Sequence, residues 1–372
     1  MRFKTNTWKE ILQQPLCWQL TQELVAKKRG ELDAFLAPIL RQKELRVIIT
    51  GAGSSAFAGD LVALELALKL DIDIKAIATT DIVASPTLYL DATRPLLLIS
   101  LARSGNSPES LAAFELAEQI VPNFYQLIIS CNEGGQLHKA AQKAAQGRAL
   151  SLLMPSQTHD LGFAMTSSFS SMALALLCVF LPQTSTKAMC ERAKALLEDY
   201  APSQPALLPE SQMPFFSCKR VVYLASNKAL AQEAALKILE LSAGKLVSLY
   251  ETYLGFRHGP KSIMDDETFV LCFRSQDSHT RKYEADLIEE IRRDREGAAS
   301  KLKFGDPSNF GCCEVPAYEG LEGAQLALVQ LIAAQVFALQ MSVDLGLNPD
   351  EPNAAGIVNR VVKGVSIHPF EG

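Results

Sequence analysis

The 372-residue chain lacks several features that would place it in a specialised class of protein. No apolar run reaches the roughly 18 residues that a membrane-spanning helix needs, and residues 1–15 lack the apolar core of a secretory leader. Basic residues are not in excess: the formal net charge is −5, whereas nucleic-acid-binding domains usually carry a basic face. We therefore expect a protein of the cytoplasm that binds neither membrane nor nucleic acid.

Spacings typical of metal sites and disulfide frameworks are also missing. The eight cysteines form no CxxC pair, and the five histidines include no HxxxH-type pair. Some cysteines lie in apolar runs such as LALLCVFL, where a thiol packs as a small hydrophobic side chain. These observations predict reduced thiols and no metal ion.

What the chain does contain is a repeated alternation of strand-like and helix-like segments. A helical N-terminal segment (1–45) is followed over 46–205 by five apolar runs that alternate with helical patterns. The alternation stops at a polar, proline-bearing stretch, restarts over 215–345, and ends in an irregular tail (346–372) of the kind that often crosses back over another domain. Strands that alternate with helices predict α/β units with parallel sheets covered on both faces.

Four loops of the first α/β unit are rich in glycine or in small hydroxyl residues. They are GAGSSAFAG (51–59), ARSGNSPES (102–110), CNEGG (131–135) and HDLGFAMTSSFSS (159–171). Ligands of an open parallel sheet sit beyond the carboxyl ends of its strands, where helix N-termini offer free N–H groups that suit a phosphate. One such loop is usually a helix cap, but three loops rich in serine or threonine at one edge favour a ligand site, with Arg103 as a source of positive charge.

Two common nucleotide motifs fit this pattern less well. The first loop begins G-x-G and has Ala56 in the third glycine position of a dinucleotide fingerprint, with Asp81 on a later segment. The pair Ser54-Ser55 is, however, not needed for binding a pyrophosphate. No G-x-x-x-x-G-K-[ST] segment is present, which argues against a P-loop nucleotidase.

The loop sequences resemble those of a known family. GAGSSAFAGD, SLARSGNSPES and GFAMTSSFSS are similar to the three ligand loops of sugar isomerase (SIS) domains, which bind phosphosugars. EAALKILELSAG and GFRHGPKSIMDD resemble the isomerase half of glucosamine-6-phosphate synthase, so the second α/β unit resembles another SIS domain. The resemblance implies two tandem SIS domains, each a flavodoxin-like three-layer parallel sheet flanked by helices, over about residues 45–372. Within it the chain is similar to the AgaS group, which handles galactosamine 6-phosphate and tagatose 6-phosphate.

This resemblance assigns the substrate to the loops of the first domain. The residues that it implies at the phosphate are Ser55, Ser104, Asn106 and Ser107, with Arg103 alongside. Ser54 and Thr166 are expected to meet the sugar hydroxyls. The second domain has YLASNKALAQEA and CFRSQDSHTRK at the corresponding loops, without the ligand-loop glycines and without S-G-x-[ST]. We therefore expect no phosphosugar in the second domain.

The second domain instead carries the candidate catalytic residues. An amino-sugar phosphate must open its ring, move a proton between C2 and C1, and lose ammonia from a C2 imine if it is deaminated. Glu240 lies among leucines on a predicted helix and matches the family's proton-shuttling glutamate, with Lys237 beside it to pair with a carboxylate or with the substrate. His258 matches the ring-opening histidine, with Glu251 and Arg257 as weaker candidates for orienting it. Lys363 is compared with a catalytic tail lysine of the synthase.

The chain departs from the synthase pattern in its tail and at its N-terminus, and the histidine assignment implies an oligomer. The spacing from Pro352 to Lys363 is longer here than in the synthase tail. In the family the histidine comes from the neighbouring subunit, which implies a homodimer or higher homo-oligomer with active sites shared between subunits. The chain opens on a helical segment rather than on a cysteine-led glutamine-hydrolysing domain, so we expect ammonia release rather than amino-sugar synthesis.

The sequence thus predicts a deaminating isomerase that converts D-galactosamine 6-phosphate to D-tagatose 6-phosphate and ammonia. General acid–base chemistry suffices for these steps, so we expect neither an organic cofactor nor a metal. Two alternatives stay open: a ketose/aldose phosphate isomerase that never expels nitrogen, and a phosphosugar-sensing regulatory protein. A sensor would not need both Glu240 and His258. The choice between galacto and gluco sugars is not encoded in any loop position that the motifs identify.

Overall fold

The protein consists of two compact units, each built around one parallel sheet. The computed structural model describes residues 4–199, 218–265, 267–302, 312–354, 356, 358–362 and 364–372. The first-sheet unit comprises residues 13–187 and 355–372. The second-sheet unit comprises residues 188–354 together with the part of the chain that precedes residue 13.

The first-sheet unit contains five parallel strands in the order β2-β1-β3-β4-β5. They are β1 (Arg46–Thr50), β2 (Asp73–Ala76), β3 (Leu96–Ala102), β4 (Phe124–Ser130) and β5 (Ala149–Leu153). β3 lies at the centre of the sheet, and every one of its residues is buried because helices cover both faces. The predicted parallel sheet is therefore confirmed, and its order is that of a flavodoxin-like fold.

Helices pack on both faces of this first sheet. They are α2 (Gln14–Lys27), α3 (Arg29–Leu40), α4 (Ser54–Leu70), α5 (Thr79–Ala84), α6 (Pro86–Tyr89), α7 (Pro108–Ile120), α8 (Gln136–Lys143) and α9 (Ser167–Phe180). Every residue of α9 is buried, because the helix packs against both α2 and α4. Trp18 of α2 is also fully buried and satisfies its indole N–H by donating to Ser170 Oγ at 2.9 Å.

The second-sheet unit repeats this architecture with four parallel strands in the order β7-β6-β8-β9. They are β6 (Arg220–Ala225), β7 (Val247–Glu251), β8 (Thr268–Phe273) and β9 (Cys312–Val315). Numbered within the unit, this order is 2-1-3-4, which equals the order of the first four strands of the first sheet. The apolar runs KRVVYLAS and TFVLCFRS predict β6 and β8, whereas no sequence pattern predicts the two edge strands β7 and β9.

The helices of the second-sheet unit include a long apolar one at its centre. They are α1 (Asn6–Leu12), α10 (Lys187–Asp199), α11 (Lys228–Leu241), α12 (Tyr253–Phe256), α13 (Thr280–Leu302) and α14 (Gly323–Asp344). α14 is long and apolar enough to cross a membrane by composition, but most of it is buried inside the protein, against α11 and α1. It is therefore a core helix. The first turn of α1 is capped by the Asp350 carboxylate, which accepts from Asn6 N at 2.7 Å and Thr7 N at 2.8 Å.

The two units are not consecutive stretches of the chain. Helices α2 and α3 of the predicted N-terminal segment belong to the first-sheet unit, whereas α1 belongs to the second. The C-terminal tail returns to the first-sheet unit, where Gln119 Nε2 donates to Phe370 O at 3.2 Å. The predicted boundary between residues 205 and 215 lies outside the described residues and stays a prediction.

Candidate active site

The sheet order places a topological switch point between β1 and β3. The chain leaves β1 toward one edge of the sheet and leaves β3 toward the other, so a crevice opens beyond the carboxyl ends of these two strands. Ser54 and Ser55 begin α4 directly after the β1 loop, and Ser104 to Ser107 form the loop after β3. Two of the predicted ligand loops therefore flank the position where open α/β sheets bind their ligands.

The loop after β3 is held in a fixed shape by the loop after β4. Gly105 has a φ of +64°, and a Cβ at this position would lie 3.4 Å from Gly135 Cα, so both the backbone angle and the packing favour glycine. Asn132 Nδ2 donates to Ser104 O at 2.7 Å, and Gln136 N donates to Asn106 Oδ1 at 3.0 Å. The CNEGG loop and the residue after it thus hold the ligand loop by hydrogen bonds, and they add no hydroxyl group to the site.

Within this loop, one serine caps the following helix. Ser107 is the N-cap of α7 and accepts from Ser110 N at 3.3 Å, while its hydroxyl also bonds to Ser110 Oγ at 2.7 Å. Ser104 is half-buried and its Oγ accepts from Asn106 N at 3.3 Å. The loop leads into the N-terminus of α7, the positive end of the helix dipole, which makes it suitable for an anion.

The loop after β1 brings two buried serines to the start of α4. Gly53 precedes them with a φ of +55°, and a Cβ on Gly51 would lie 2.7 Å from Ser55, so the turn requires glycine at both positions. Ser55 Oγ bonds to Met165 Sδ at 3.8 Å, which connects this loop to the predicted sugar-binding loop around Thr166. Ser54 and Ser55 therefore lie at the switch point with their side chains largely shielded from solvent.

The hydroxyl of Thr166 is buried without a partner among the described residues, as is that of Ser171 in the same predicted ligand loop. The residue is almost fully buried, and its Oγ1 makes no hydrogen bond among the described residues. A buried hydroxyl without a bond costs free energy that a bound ligand or water recovers. This supports the predicted contact of Thr166 with a sugar hydroxyl.

A buried carboxylate that the sequence analysis did not single out shapes the loop that carries Thr166. Asp160 accepts from the backbone N–H groups of Thr166 and Ser168, both at 2.8 Å. It also accepts from the hydroxyls of Ser167 and Ser168. Asp160 lies six residues before Thr166 and eight before Ser168, so it caps the start of α9 and fixes the backbone of the loop. Three of the four serines of TSSFSS thus bond to protein groups, Ser170 by accepting from Trp18, whereas the buried hydroxyl of Ser171 has no partner among the described residues.

Arg103 does not extend freely into the crevice. It is mostly buried, and its guanidinium donates from Nη1 to Phe163 O at 3.0 Å and from Nη2 to Arg360 O at 2.7 Å. Arg360 in turn donates to Gly162 O at 3.2 Å and to Asp160 O. The two arginines form an interlocked pair that ties the loop after β3, the loop of residues 160–163 and the C-terminal tail together. Arg103 is therefore placed beside the predicted phosphate loop, with its described bonds directed to backbone carbonyls.

In the second-sheet unit, Glu240 lies near the end of α11 beside a buried lysine. Lys237 Nζ bonds to Glu240 Oε2 at 2.6 Å and to Glu233 Oε1 at 3.2 Å, the spacing expected of neighbours on one helix face. The side chains of Lys237 and Glu233 are fully buried, whereas that of Glu240 is 25% exposed. Glu240 is thus the one member of this triad that a substrate can reach, and the predicted pairing with Lys237 is present.

The two carboxylates of this triad keep the buried lysine protonated. Burial alone lowers the pKa of Lys237, but Glu233 and Glu240 raise it more, so that it lies above its ordinary value of 10.5. Lys237 therefore stays protonated at neutral pH and holds the Glu240 carboxylate in one orientation. A general base has to be held in such a fixed orientation toward the proton that it removes.

His258 lies in the turn between α12 and the 3-10 segment Pro260–Ile263, where its side chain is exposed. Its imidazole makes no hydrogen bond among the described residues. The two weaker candidates for orienting it bond elsewhere: Glu251 pairs with Lys228 at 2.9 Å, and Arg257 Nε donates to Glu290 Oε2 at 2.8 Å. The imidazole of His258 is therefore exposed and available to contact another molecule.

Two predictions concern residues or groups that the structure does not test. Lys363 lies outside the described residues, so its assignment stays a prediction. In the part of the chain that the structure describes, no three His, Cys, Asp or Glu side chains cluster as metal ligands would. The expectation of a metal-free, cofactor-free reaction likewise stays a prediction.

Comparison with known proteins places this geometry in a family. No family model matches the chain. The D-galactosamine-6-phosphate deaminase AgaS of Escherichia coli is 43% identical over 99% of this chain and 97% of its own length. The protein of the same name from Shewanella sp. (strain ANA-3) is 44% identical over 98% of this chain and 92% of its own length. The crystal structure of tagatose-6-phosphate ketose/aldose isomerase from Escherichia coli superimposes with a TM-score of 0.86 at 40% identity, covering 99% of this chain and 98% of that one.

Two flavodoxin-like sheets in tandem, with hydroxyl-rich loops at the switch point of the first, define the double sugar isomerase (SIS) class. Within this class, the chain is more than 40% identical over nearly its full length to proteins named AgaS. The chain belongs to the AgaS family. Its predicted fold and family are thereby confirmed, while the roles of the individual site residues stay predictions.

Proposed function

We propose that this chain converts D-galactosamine 6-phosphate and water to D-tagatose 6-phosphate and ammonia. The observation that carries this proposal is the identity of 43–44% over 98–99% of the chain to proteins named D-galactosamine-6-phosphate deaminase. Three local features support the proposal: a loop at a helix N-terminus that suits an anion, the unpartnered hydroxyl of Thr166, and the Glu240 carboxylate that Lys237 orients.

Phosphate binding is assigned to the switch point of the first sheet. Phosphate oxygens would accept from the N-terminus of α7 and from the hydroxyls of Ser104 and Ser107. Asn106 of the same loop and Ser55 at the start of α4 would complete the phosphate site. Thr166 and Ser54 would bond to sugar hydroxyls, since Thr166 Oγ1 has no partner among the described residues. Arg103 contributes its charge from the side while holding the surrounding loops.

Proton transfer is assigned to Glu240. After ring opening by acid–base exchange at His258, the open-chain sugar has an aldehyde at C1 and an amine at C2. Removal of the C2 proton by Glu240, with protonation of O1, gives an enolamine. Return of that proton to C1, with loss of one N–H proton, leaves an alcohol at C1 and an imine at C2. One carboxylate can serve both carbons because the proton moves between adjacent atoms.

Ammonia release completes the reaction. Water adds to the imine carbon, the C–N bond breaks, and ammonia leaves as the C2 ketone forms. One water is consumed for each ammonia released, so the overall conversion is hydrolytic as well as isomerising. The tail lysine Lys363 is proposed to lie near this carbon by analogy with the synthase tail, a role that the described residues do not test.

The assembly and location of the enzyme are part of the proposal. The exposed, unbonded imidazole of His258 supports an active site that a second subunit completes, hence a homodimer or a higher homo-oligomer. No disulfide joins the seven cysteines whose state is described, which supports a reducing compartment, the cytoplasm.

A second candidate is an isomerase that interconverts ketose and aldose phosphates without nitrogen and never releases ammonia. It is favoured by the name of the crystal structure at 40% identity, tagatose-6-phosphate ketose/aldose isomerase. Both candidates need the same base, so the Glu240→Gln variant tests what they share. We expect it to bind galactosamine 6-phosphate with an unchanged Kd in calorimetry while turnover falls by about 10²–10⁴-fold.

The matched control is Glu289→Gln, which removes an exposed carboxylate from the same unit. It should leave both binding and turnover unchanged. Full turnover in the Glu240→Gln variant would rule out Glu240 as the base. A wild-type protein that binds the phosphosugar but never turns it over would instead support a regulatory, sensing protein.

A further inference from the structure

The second sheet repeats the topology that creates a ligand position in the first. Its switch point lies between β6 and β8, as that of the first sheet lies between β1 and β3. Arg274 and Ser275 are the first and second residues after β8, just as Arg103 and Ser104 are the first and second after β3. An arginine–serine pair therefore follows the third strand of both sheets, although the glycine-rich loops are present in the first alone.

The crevice at this second switch point contains a carboxylate of the same chain. Glu284 extends from α13 and is fully buried. Its Oε1 accepts from Ser226 Oγ at 3.0 Å and from Ser275 N at 3.0 Å. Its Oε2 accepts from Arg274 Nε at 3.0 Å and from Ser275 N at 3.1 Å. Ser226 directly follows β6, so both strands of the switch point contribute donors.

This set of donors is the kind that binds a phosphate. A guanidinium, a serine hydroxyl and a backbone N–H from a strand-to-helix loop converge on two oxygens of one anion. Arg274 is largely buried, and its bonds to Glu314 and Glu284 outweigh the effect of burial and keep its pKa raised. Burying a carboxylate at this depth is tolerated because several charge-assisted or neutral donors satisfy it.

We propose that Glu284 occupies the anion position of the second sheet from within the chain, and that this carboxylate, standing where a phosphate would, is why the second-sheet unit takes no phosphosugar. Removing the carboxylate should expose a latent site for a phosphate-class anion on Ser226, Arg274 and Ser275. The comparison with the first sheet rests on the proposed phosphate site there, whereas the donors around Glu284 are directly described.

The test is the number of inorganic phosphate ions bound per chain, measured by equilibrium dialysis. We expect one phosphate for the wild-type protein, at the first sheet, and two for Glu284→Ala, because truncation releases Ser226 Oγ, Ser275 N and Arg274 Nε, while Arg274 Nη1 stays paired with Glu314. Glu284→Gln should bind one, since its amide still fills the space. Asp286→Ala, which removes an exposed carboxylate two residues along the same helix, should also bind one.

Further variants separate the possible outcomes. The double variant Glu284→Ala/Arg274→Gln should lose the additional phosphate. If Glu284→Ala folds poorly, refolding in phosphate but not in chloride of equal ionic strength would support the proposal. Equal binding by wild type and Glu284→Ala would overturn it, as would a variant that phosphate fails to refold. No binding to wild type with one phosphate on Glu284→Ala would leave this inference standing while refuting the proposed site of the first sheet.

Discussion

Replacing Lys237 with methionine should destabilise the protein far more than the loss of an ordinary ion pair. Lys237 is fully buried and bonds at 2.6 Å to Glu240 and at 3.2 Å to Glu233, which is also fully buried. The variant keeps most of the side-chain volume but leaves a buried carboxylate without its cation. Breaking a buried pair in this way costs about 3–5 kcal/mol, so the free energy of unfolding should fall by that amount.

Denaturant unfolding of three variants measures this effect. The control is Lys228→Met on the same helix, where Lys228 pairs with Glu251 at 2.9 Å but is 51% exposed. A surface pair of this kind contributes about 0–1 kcal/mol, so this variant should stay close to wild type. The double variant Lys237→Met/Glu233→Met should recover most of the loss, because replacing a whole buried pair by apolar groups is often neutral. Equal losses for Lys237→Met and Lys228→Met would refute the argument from burial.

Four further results are expected. Because the pKa of Lys237 is raised in the folded protein, the stabilisation by Lys237 is complete below about pH 10.4 and is lost as the pH rises through the folded pKa. Between pH 9 and pH 11 the free energy of unfolding, measured with denaturant, should therefore fall more for wild type than for Lys237→Met. Equal falls for the two proteins would contradict this. The double variant Ser104→Ala/Ser107→Ala should raise KM by about 10²-fold through two lost bonds to a charged phosphate, and an unchanged KM would place the phosphate elsewhere. Arg360→Met should raise KM about tenfold by releasing the carbonyls of the ligand loop, whereas a lower Tm with an unchanged KM would make its role structural alone. Burial raises the pKa of Cys131 to about 12, so this thiol should resist alkylation at pH 8.5 in the native protein, and rapid labelling located by mass spectrometry would contradict its burial.

The central strands could be predicted from the sequence because burial on both faces demands continuous apolar runs. LLLISLA in β3 and TFVLCF in β8 are examples, and every residue of both is buried. The edge strands β7 and β9 lack such runs: β7 reads VSLYE and none of its residues is buried. They form because a neighbouring strand is available for pairing, which local sequence does not reveal.

The placement of the ligand loops followed from chain topology, whereas the partners of charged groups did not. Arg103 suggested a free cation beside a phosphate, but its described bonds go to carbonyls 60 and 257 residues away along the chain. Glu284 reads as an ordinary helix carboxylate, and its role depends on donors from two separate strands. Lys237 was easier to interpret, because its partners lie three and four residues away on the same helix.

The most direct test of the proposed function is ammonia release, followed with a coupled glutamate dehydrogenase assay. Galactosamine 6-phosphate and glucosamine 6-phosphate are supplied separately to wild type and to Glu240→Gln. The account predicts ammonia from the galacto sugar with wild type, formed one-to-one with tagatose 6-phosphate, and a loss of about 10²-fold or more with Glu240→Gln. Tagatose 6-phosphate interconverting with its aldose, with no ammonia from either amino sugar, would contradict deamination and establish the simple isomerase.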